Sequence, residues 1–398
     1  MPEISYRGQL MPNSPIRKLV PLAEEALKRG RKVYRLNIGQ PDILTSPNAL
    51  QAIRDLDAKI IDYGHSAGNE SLRRKFTLYY KKIGVNLDYR DILITTGASE
   101  AIMLTLLTCL NAGDEIIVPE PFYANYFSFA IASDVIVVPV TSSIENCFAL
   151  PHISEFEKKI TKRTRAIIIC NPNNPTGYLY SRKELEQLCI LVKKHDLFFL
   201  CDEVYRELCY DGGEFTSAME LEGIDKNLIL IDSVSKRYSA TGLRVGVLAS
   251  HNHELLQTAL KFCQARLCPP NLGQLAAEAA LDSSQEYLDY VYNEFLERRN
   301  LVVPALNSIK GVYCPMPKGA FYVMAKLPVD DAEKFAMWML QEFEYKNQTV
   351  MLAPGSGFYF NTSLGKQEVR IAYVLNLEDL KHAMECLQHG LEEYPGRL

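Results

Sequence analysis

The chain has 398 residues, 47% of them apolar and 23% charged, the profile of a globular protein with a large core rather than a disordered, fibrous or stapled small one. A formal net charge of −5 without any Lys/Arg block argues against a polyanion-binding surface and directs attention to small-molecule chemistry. Ten cysteines lack a CxxC pair, and several sit in apolar runs such as AIIIC and LFFLC, so they read as reduced core residues.

In chain order, the first 45 residues carry several prolines and a helix expected from about Ile16 to Lys28, but no strand of a large sheet. They read as an arm that joins the smaller of two domains. The N-terminus lacks the apolar core of a signal peptide. No apolar run reaches the roughly 18 to 20 residues that span a bilayer, so a cytoplasmic protein without membrane contact is expected.

Between residues 90 and 250, the runs DILITT, DEIIVP, VIVVPV, RAIIIC, LFFLCD, NLILID and VGVLAS alternate with helical patterns. Strands without polar alternation are buried on both faces, which implies an α/β fold built on a mostly parallel seven-stranded sheet. SRKELEQLCILVKKHD places Leu185, Leu188, Cys189 and Val192 at helical spacing behind a Ser181 N-cap, with Glu184 completing a capping box. Beyond residue 290, a long polar helix, strands GAFYVMAKL, TVMLAPG and EVRIAYVL, and two more helices read as a smaller α+β domain. The expected division is an arm over 1–45 that is part of the small domain, a large domain over 46–290, and a small C-terminal domain over 291–398.

Ligands of such sheets bind outside the carboxyl ends of the strands, and several residues stand there. Asp202 ends the run LFFLCD, where a buried carboxylate needs a partner or serves as a local cap. CNPNNPTG follows another strand and forms a rigid loop that presents Asn174. Gly97, Ala98 and Ser99 carry the chain from strand to helix, leaving amides free for an anion, although many such turns are only turns. Ser233 and Lys236 follow NLILI, and Arg244 lies eight residues beyond the lysine. A lysine is ordinarily a solvated surface group, but in an interior site it can lose its proton and attack a carbonyl. A carboxylate for a pyridinium nitrogen, an asparagine loop, an anion turn and a lysine with phosphate ligands are together the parts that pyridoxal phosphate needs. No GxGxxG after a strand, GxxxxGK[ST] or HExxH occurs, and HNHE at His251 to Glu254 is a polar turn, so no metal is expected.

NPNNPTG, DEVY and SxSKxxxxxGLRxG in combination resemble the fold-type I pyridoxal-phosphate-dependent class I/II aminotransferases, of the aspartate aminotransferase type, over nearly the whole chain. The resemblance implies pyridoxal 5'-phosphate held by Lys236 as a Schiff base, with the freed amine moving the proton at the substrate's α-carbon. It implies Asp202 on the ring nitrogen, Asn174 and Tyr205 on the phenolic oxygen, and Tyr123 stacked on the ring, with Phe122 as competitor. For the phosphate it implies the backbone around Gly97, Ala98 and Ser99, the Ser233 hydroxyl and Arg244. Tyr63 matches a tyrosine that reaches the phosphate across a homodimer interface with shared active sites. Arg370 matches the arginine that grips the substrate α-carboxylate in a bidentate fork, with the Gly39 backbone beside it.

The implied reaction moves an amino group from an L-amino acid, aspartate first, to 2-oxoglutarate, with alanine, methionine or aromatic amino acids as alternatives. For a distal carboxylate the candidates are Arg266 in QARLCPP, Ser14 and Ser99. Arg237 is read as a solvated or interface side chain. A C–S or C–N lyase of the same fold keeps every cofactor motif and remains a rival. A nucleic-acid-binding regulator is disfavoured, because no helix-turn-helix or basic stretch precedes the fold.

Overall fold

The computed structural model describes residues 2–398. Its strands in chain order are β1 (Lys32–Arg35), β2 (Ile92–Thr95), β3 (Glu115–Glu120), β4 (Ile136–Thr141), β5 (Thr164–Cys170), β6 (Phe198–Asp202), β7 (Leu228–Ser233), β8 (Gly246–Ala249), β9 (Tyr322–Lys326), β10 (Gln348–Met351), β11 (Ala353–Pro354) and β12 (Glu368–Ala372). The seven apolar runs form one sheet in the order β2-β8-β7-β6-β5-β3-β4. All its pairings are parallel except those of β8, which runs antiparallel to β2 and to β7.

Successive residues of β5 explain the lack of polar alternation. Ile167 and Ile169 pack with Leu185, Leu188, Cys189 and Val192 of the helix Arg182–His195, whereas Ala166, Ile168 and Cys170 pack on the other face with Ala101 and Ile102 of the helix Gly97–Cys109. Each such leucine or isoleucine withdrawn from water contributes about 1.5–3 kcal/mol. Ser181 and Glu184 form the expected capping box.

A second sheet, β11-β12-β9, is antiparallel throughout, and β1 pairs in parallel with β10. TVMLAPG therefore serves two sheets, with Leu352 between β10 and β11. The first long helix begins at Val20, not near Ile16. Pro21 explains the difference: it has no N–H to give the carbonyl of residue 17 and is tolerated only in a first helical turn.

All ten cysteines are free. His251 and His253 both face Asp91, at 3.4 and 3.2 Å, and no metal-binding group of side chains occurs among the described residues. Among the same residues, no helix is long and apolar enough to cross a membrane.

Candidate active site

A cavity of about 590 Å³ opens at the carboxyl ends of β5, β6 and β7, and residues from the N-terminal segment and from β12 close it. Asp202 ends β6 inside the protein, where the Tyr126 hydroxyl donates to its Oδ2 at 2.8 Å. Burial pushes the carboxyl up to about 6, against the opposing hydrogen bonds from Tyr126 and the Val204 N–H.

Lys236 sits on the short helix Val234–Arg237 that follows β7, and its Nζ donates to the Gly39 carbonyl at 2.8 Å. Burial, reinforced by Arg370 and Arg244, lowers the amine to about 8, while Asp202 opposes the change. A lysine so placed is neutral in useful proportion near physiological pH, which a solvated lysine is not.

An anion cradle lies beside it. The helix Gly97–Cys109 begins with Gly97 at φ +74°, and a Cβ there would lie 2.2 Å from an Arg244 guanidinium nitrogen. Only glycine lets the arginine cross the helix start, where the Ala98 and Ser99 amides are free. Arg244 spends single bonds on the Thr241 and Thr96 carbonyls. Ser233, Ser235 and Thr241 line the same wall. The Ser233 hydroxyl is already engaged, donating to the Val245 carbonyl at 2.8 Å and accepting from the Ser235 N–H at 3.1 Å.

Opposite the cradle, Arg370 on β12 is 1% exposed. It donates to Asn174 Oδ1 at 2.9 Å and to the Asn37 carbonyl, while its Nε has no partner. The guanidinium carbon stands 4.4 Å from the Tyr322 ring centroid and 4.9 Å from that of Phe358. A buried guanidinium with an unused N–H has the chemistry to receive a carboxylate. At Gly39, a Cβ would lie 1.7 Å from the Tyr322 hydroxyl, so no larger residue fits. Tyr205 meets Tyr322 hydroxyl to hydroxyl at 3.0 Å.

A lysine of lowered pKa, a buried acid, a helix start crossed by an arginine and a buried guanidinium thus face one space. The family model for aminotransferase class I and II matches residues 31–387. The chain belongs to the class I and II aminotransferases. It is 33% identical to an aspartate aminotransferase of Thermotoga maritima, covering 98% of this chain and 99% of that one. It is 32% identical to aromatic-amino-acid aminotransferase 2 of Thermococcus litoralis, with 98% of each covered. An alanine aminotransferase structure from Pyrococcus furiosus superposes with a TM-score of 0.90 at 30% identity, covering 98% of this chain and all of that one.

Within this aminotransferase, Gly39, Ala98, Ser99, Tyr123, Asn174, Asp202, Tyr205, Ser233, Lys236, Arg244 and Arg370 all line the one cavity, and Gly97 adjoins it. Tyr123 faces the space, whereas its neighbour Phe122 is buried in the core. Tyr63 and Arg266 do not line it. Tyr63 is 80% exposed, and Arg266 donates to Glu100 at 3.0 Å and to the Ile94 carbonyl at 3.3 Å. Arg237 corrects the sequence reading outright: it is 2% exposed and donates to both oxygens of Asp232, at 2.6 and 2.7 Å.

Arg17 and Tyr322 in the wall and Tyr126 behind Asp202 lie outside the motifs, and Ser235, also in the wall, lies inside SxSK without a role assigned from the sequence. The aromatic run PFYANYF carried the only signal for Tyr126, and nothing local distinguishes Tyr322 from a core tyrosine.

Proposed function

We propose that this aminotransferase uses pyridoxal 5'-phosphate to move the amino group of a dicarboxylic L-amino acid, aspartate first, to a 2-oxo acid, 2-oxoglutarate first. The observation that carries the cofactor is the pairing of Lys236, lowered to about 8, with the buried Asp202, raised to about 6, in one cavity that also holds an anion cradle. Bound there, the cofactor would supply an electron sink for the bond broken at the substrate's α-carbon.

The protein's own groups do the rest. Neutral Lys236 would hold the cofactor through its carbonyl and, once released by substrate, would carry the proton at the α-carbon. Asp202, ionised above about pH 6, would keep a ring nitrogen protonated. Arg244, the Ala98 and Ser99 amides and the serines of the wall would hold a phosphate, the Ser233 hydroxyl by turning from the Val245 carbonyl. Asn174, with Oδ1 already accepting from Arg370, has its amide NH2 to give a phenolic oxygen beside Tyr205. Arg370 would grip the α-carboxylate, and Tyr123 would cover the ring.

Charge supports a second carboxylate on the substrate. The wall carries Arg17, Lys236, Arg244 and Arg370 against the single acid Asp202. Phosphate uses Arg244, the carbonyl Lys236 and the α-carboxylate Arg370, which leaves Arg17, whose side chain makes no ion pair among the described residues. Arg17→Gln is expected to lower kcat/KM for aspartate about tenfold relative to alanine, the worth of one hydrogen bond to a charged group. Arg266→Gln is expected to leave that ratio unchanged.

Tyr126→Phe removes a donor to the ionised form of Asp202, so the carboxyl titrates at higher pH. Cofactor affinity, fitted as a function of pH by equilibrium dialysis, is expected to fall away at a higher pH than in the parent as the solution is acidified. An unmoved acidic limb removes Tyr126 from this role.

A homodimer with shared sites is the proposed assembly. Ile60, Ile61 and Tyr63 expose 75, 60 and 80% of their surface in one stretch, an apolar patch that a second copy would cover. The free cysteines support a reducing, cytoplasmic location.

A donor panel against 2-oxoglutarate, pyruvate and oxaloacetate, ranked by kcat/KM, tests the substrate choice. Aspartate or glutamate leading supports it, and alanine or an aromatic amino acid leading overturns it.

A further inference from the structure

Four residues that line the cavity have an immediate chain neighbour on the far side of the backbone that carries a buried charge. Asp202 is followed by Glu203, Tyr205 by Arg206 and Lys236 by Arg237, while Ser233 is preceded by Asp232. None of the four charged neighbours lines the cavity, and all are buried.

They meet one another. Arg237 donates to both Asp232 oxygens, at 2.6 and 2.7 Å, and Asp232 also accepts from Tyr80 at 2.8 Å and from the Ser233 N–H at 2.7 Å. Arg206 stands 3.0 Å from Glu203 and 3.6 Å from Asp232. Glu203 is anchored in turn by the Ser217 hydroxyl and the Ala218 N–H. On the outer side, Arg237 lies 4.3 Å from the centroid of the Tyr79 ring and 3.9 Å from Glu207, to which Tyr79 donates.

Stability alone is a weak reason for such a cluster. Dehydrating a charge costs several kcal/mol, and an apolar replacement of equal volume often stabilises as well or better. One guanidinium nitrogen held between both oxygens of a buried carboxylate supplies direction instead, since two short charge-assisted bonds fix the pair in angle as well as distance.

We propose that Asp232 and Arg237 are positioning residues for Lys236, their doubly hydrogen-bonded ion pair clamping the helix Val234–Arg237 to the end of β7 and so setting where the lysine amine stands in the cavity. Asp232 receives the Ser233 N–H at the helix start and Arg237 follows Lys236 directly, so the clamp brackets the lysine on both sides. The amine then stays near the Gly39 carbonyl, facing Arg370, Arg244 and Asp202, with the rings of Tyr205 and Phe321 within 6.0 and 5.6 Å.

The amine itself is the readout. Acetic anhydride labelling of the full chain, freed of any carbonyl ligand, is followed from pH 6 to 11, with the Lys236 peptide quantified by mass spectrometry. In the parent, the midpoint is expected near 8. In Arg237→Met and in Asp232→Asn, the released lysine is expected to titrate closer to the ordinary value of about 10.4, with labelling at pH 8 falling about tenfold per unit of rise. Where Arg237→Met does not fold, the double variant Asp232→Asn/Arg237→Met, which removes one charge of each sign, takes its place. A parental midpoint in either variant overturns the proposal even if the melting temperature drops, because a purely structural pair would cost stability without moving the amine. No cofactor enters the measurement, so its outcome is independent of whether pyridoxal phosphate is the group bound.

Discussion

Lys236→Ala is expected to lose covalent attachment of the carbonyl cofactor and about four orders of magnitude or more in turnover, since in the proposed reaction one side chain would supply both the nucleophile and the proton carrier. Absorbance of the bound cofactor and the rate of oxo-acid formation are the two measurements. Among the described residues, Lys236 is the only lysine that lines the cavity, so no second lysine stands in a position to substitute. A small free amine added to the variant should recover part of the rate, as it restores the chemistry without the positioning. Normal turnover in Lys236→Ala would end the assignment of this residue.

The second large effect belongs to Arg370. Replacing it by Lys keeps a charge but loses the fork, and it leaves the Asn174 and Asn37 oxygens short of a donor. Removing one partner of a buried, hydrogen-bonded charge pair costs about 2–5 kcal/mol, or roughly 30- to 3,000-fold in kcat/KM. The loss should be of similar size for aspartate and for alanine, because both carry the same α-carboxylate. A loss confined to dicarboxylic donors would mean that Arg370 binds the distal group.

The main sheet was legible in the sequence because burial on both faces writes a local signature: short apolar runs, most of them β-branched, without polar alternation. Asp202, Asn174, Ser233 and Lys236 stand out for the same reason, being polar groups placed directly after apolar strands. Arg237 shows where such reasoning stops. Its sequence neighbours give it the look of a solvated charge, and its true environment comes from Tyr79 and Tyr80 on a helix more than 150 residues earlier and from an acid five residues back on a strand end. Tyr322 and Arg17 were hidden likewise, since each reaches the cavity only through the packing of the N-terminal segment and the C-terminal sheets against the main one. The failed helix start near Ile16 is of another kind, a local proline effect that was present in the sequence and outweighed the apolar spacing.

The bond from Arg370 to the carbonyl of Asn37 joins residues 333 apart in the chain. During synthesis, therefore, Asn37 leaves the ribosome long before its donor exists, and β1 waits almost as long for β10. The main sheet with Asp202 and Lys236 can form while the last quarter of the chain is still being made, as segments completed first tend to fold first. A nascent chain stalled before β12 would carry the lysine and its acid without the carboxylate receptor, and without the closure that Arg370 gives the N-terminal segment. Competence for catalysis is thus acquired in the final stretch of translation, not gradually.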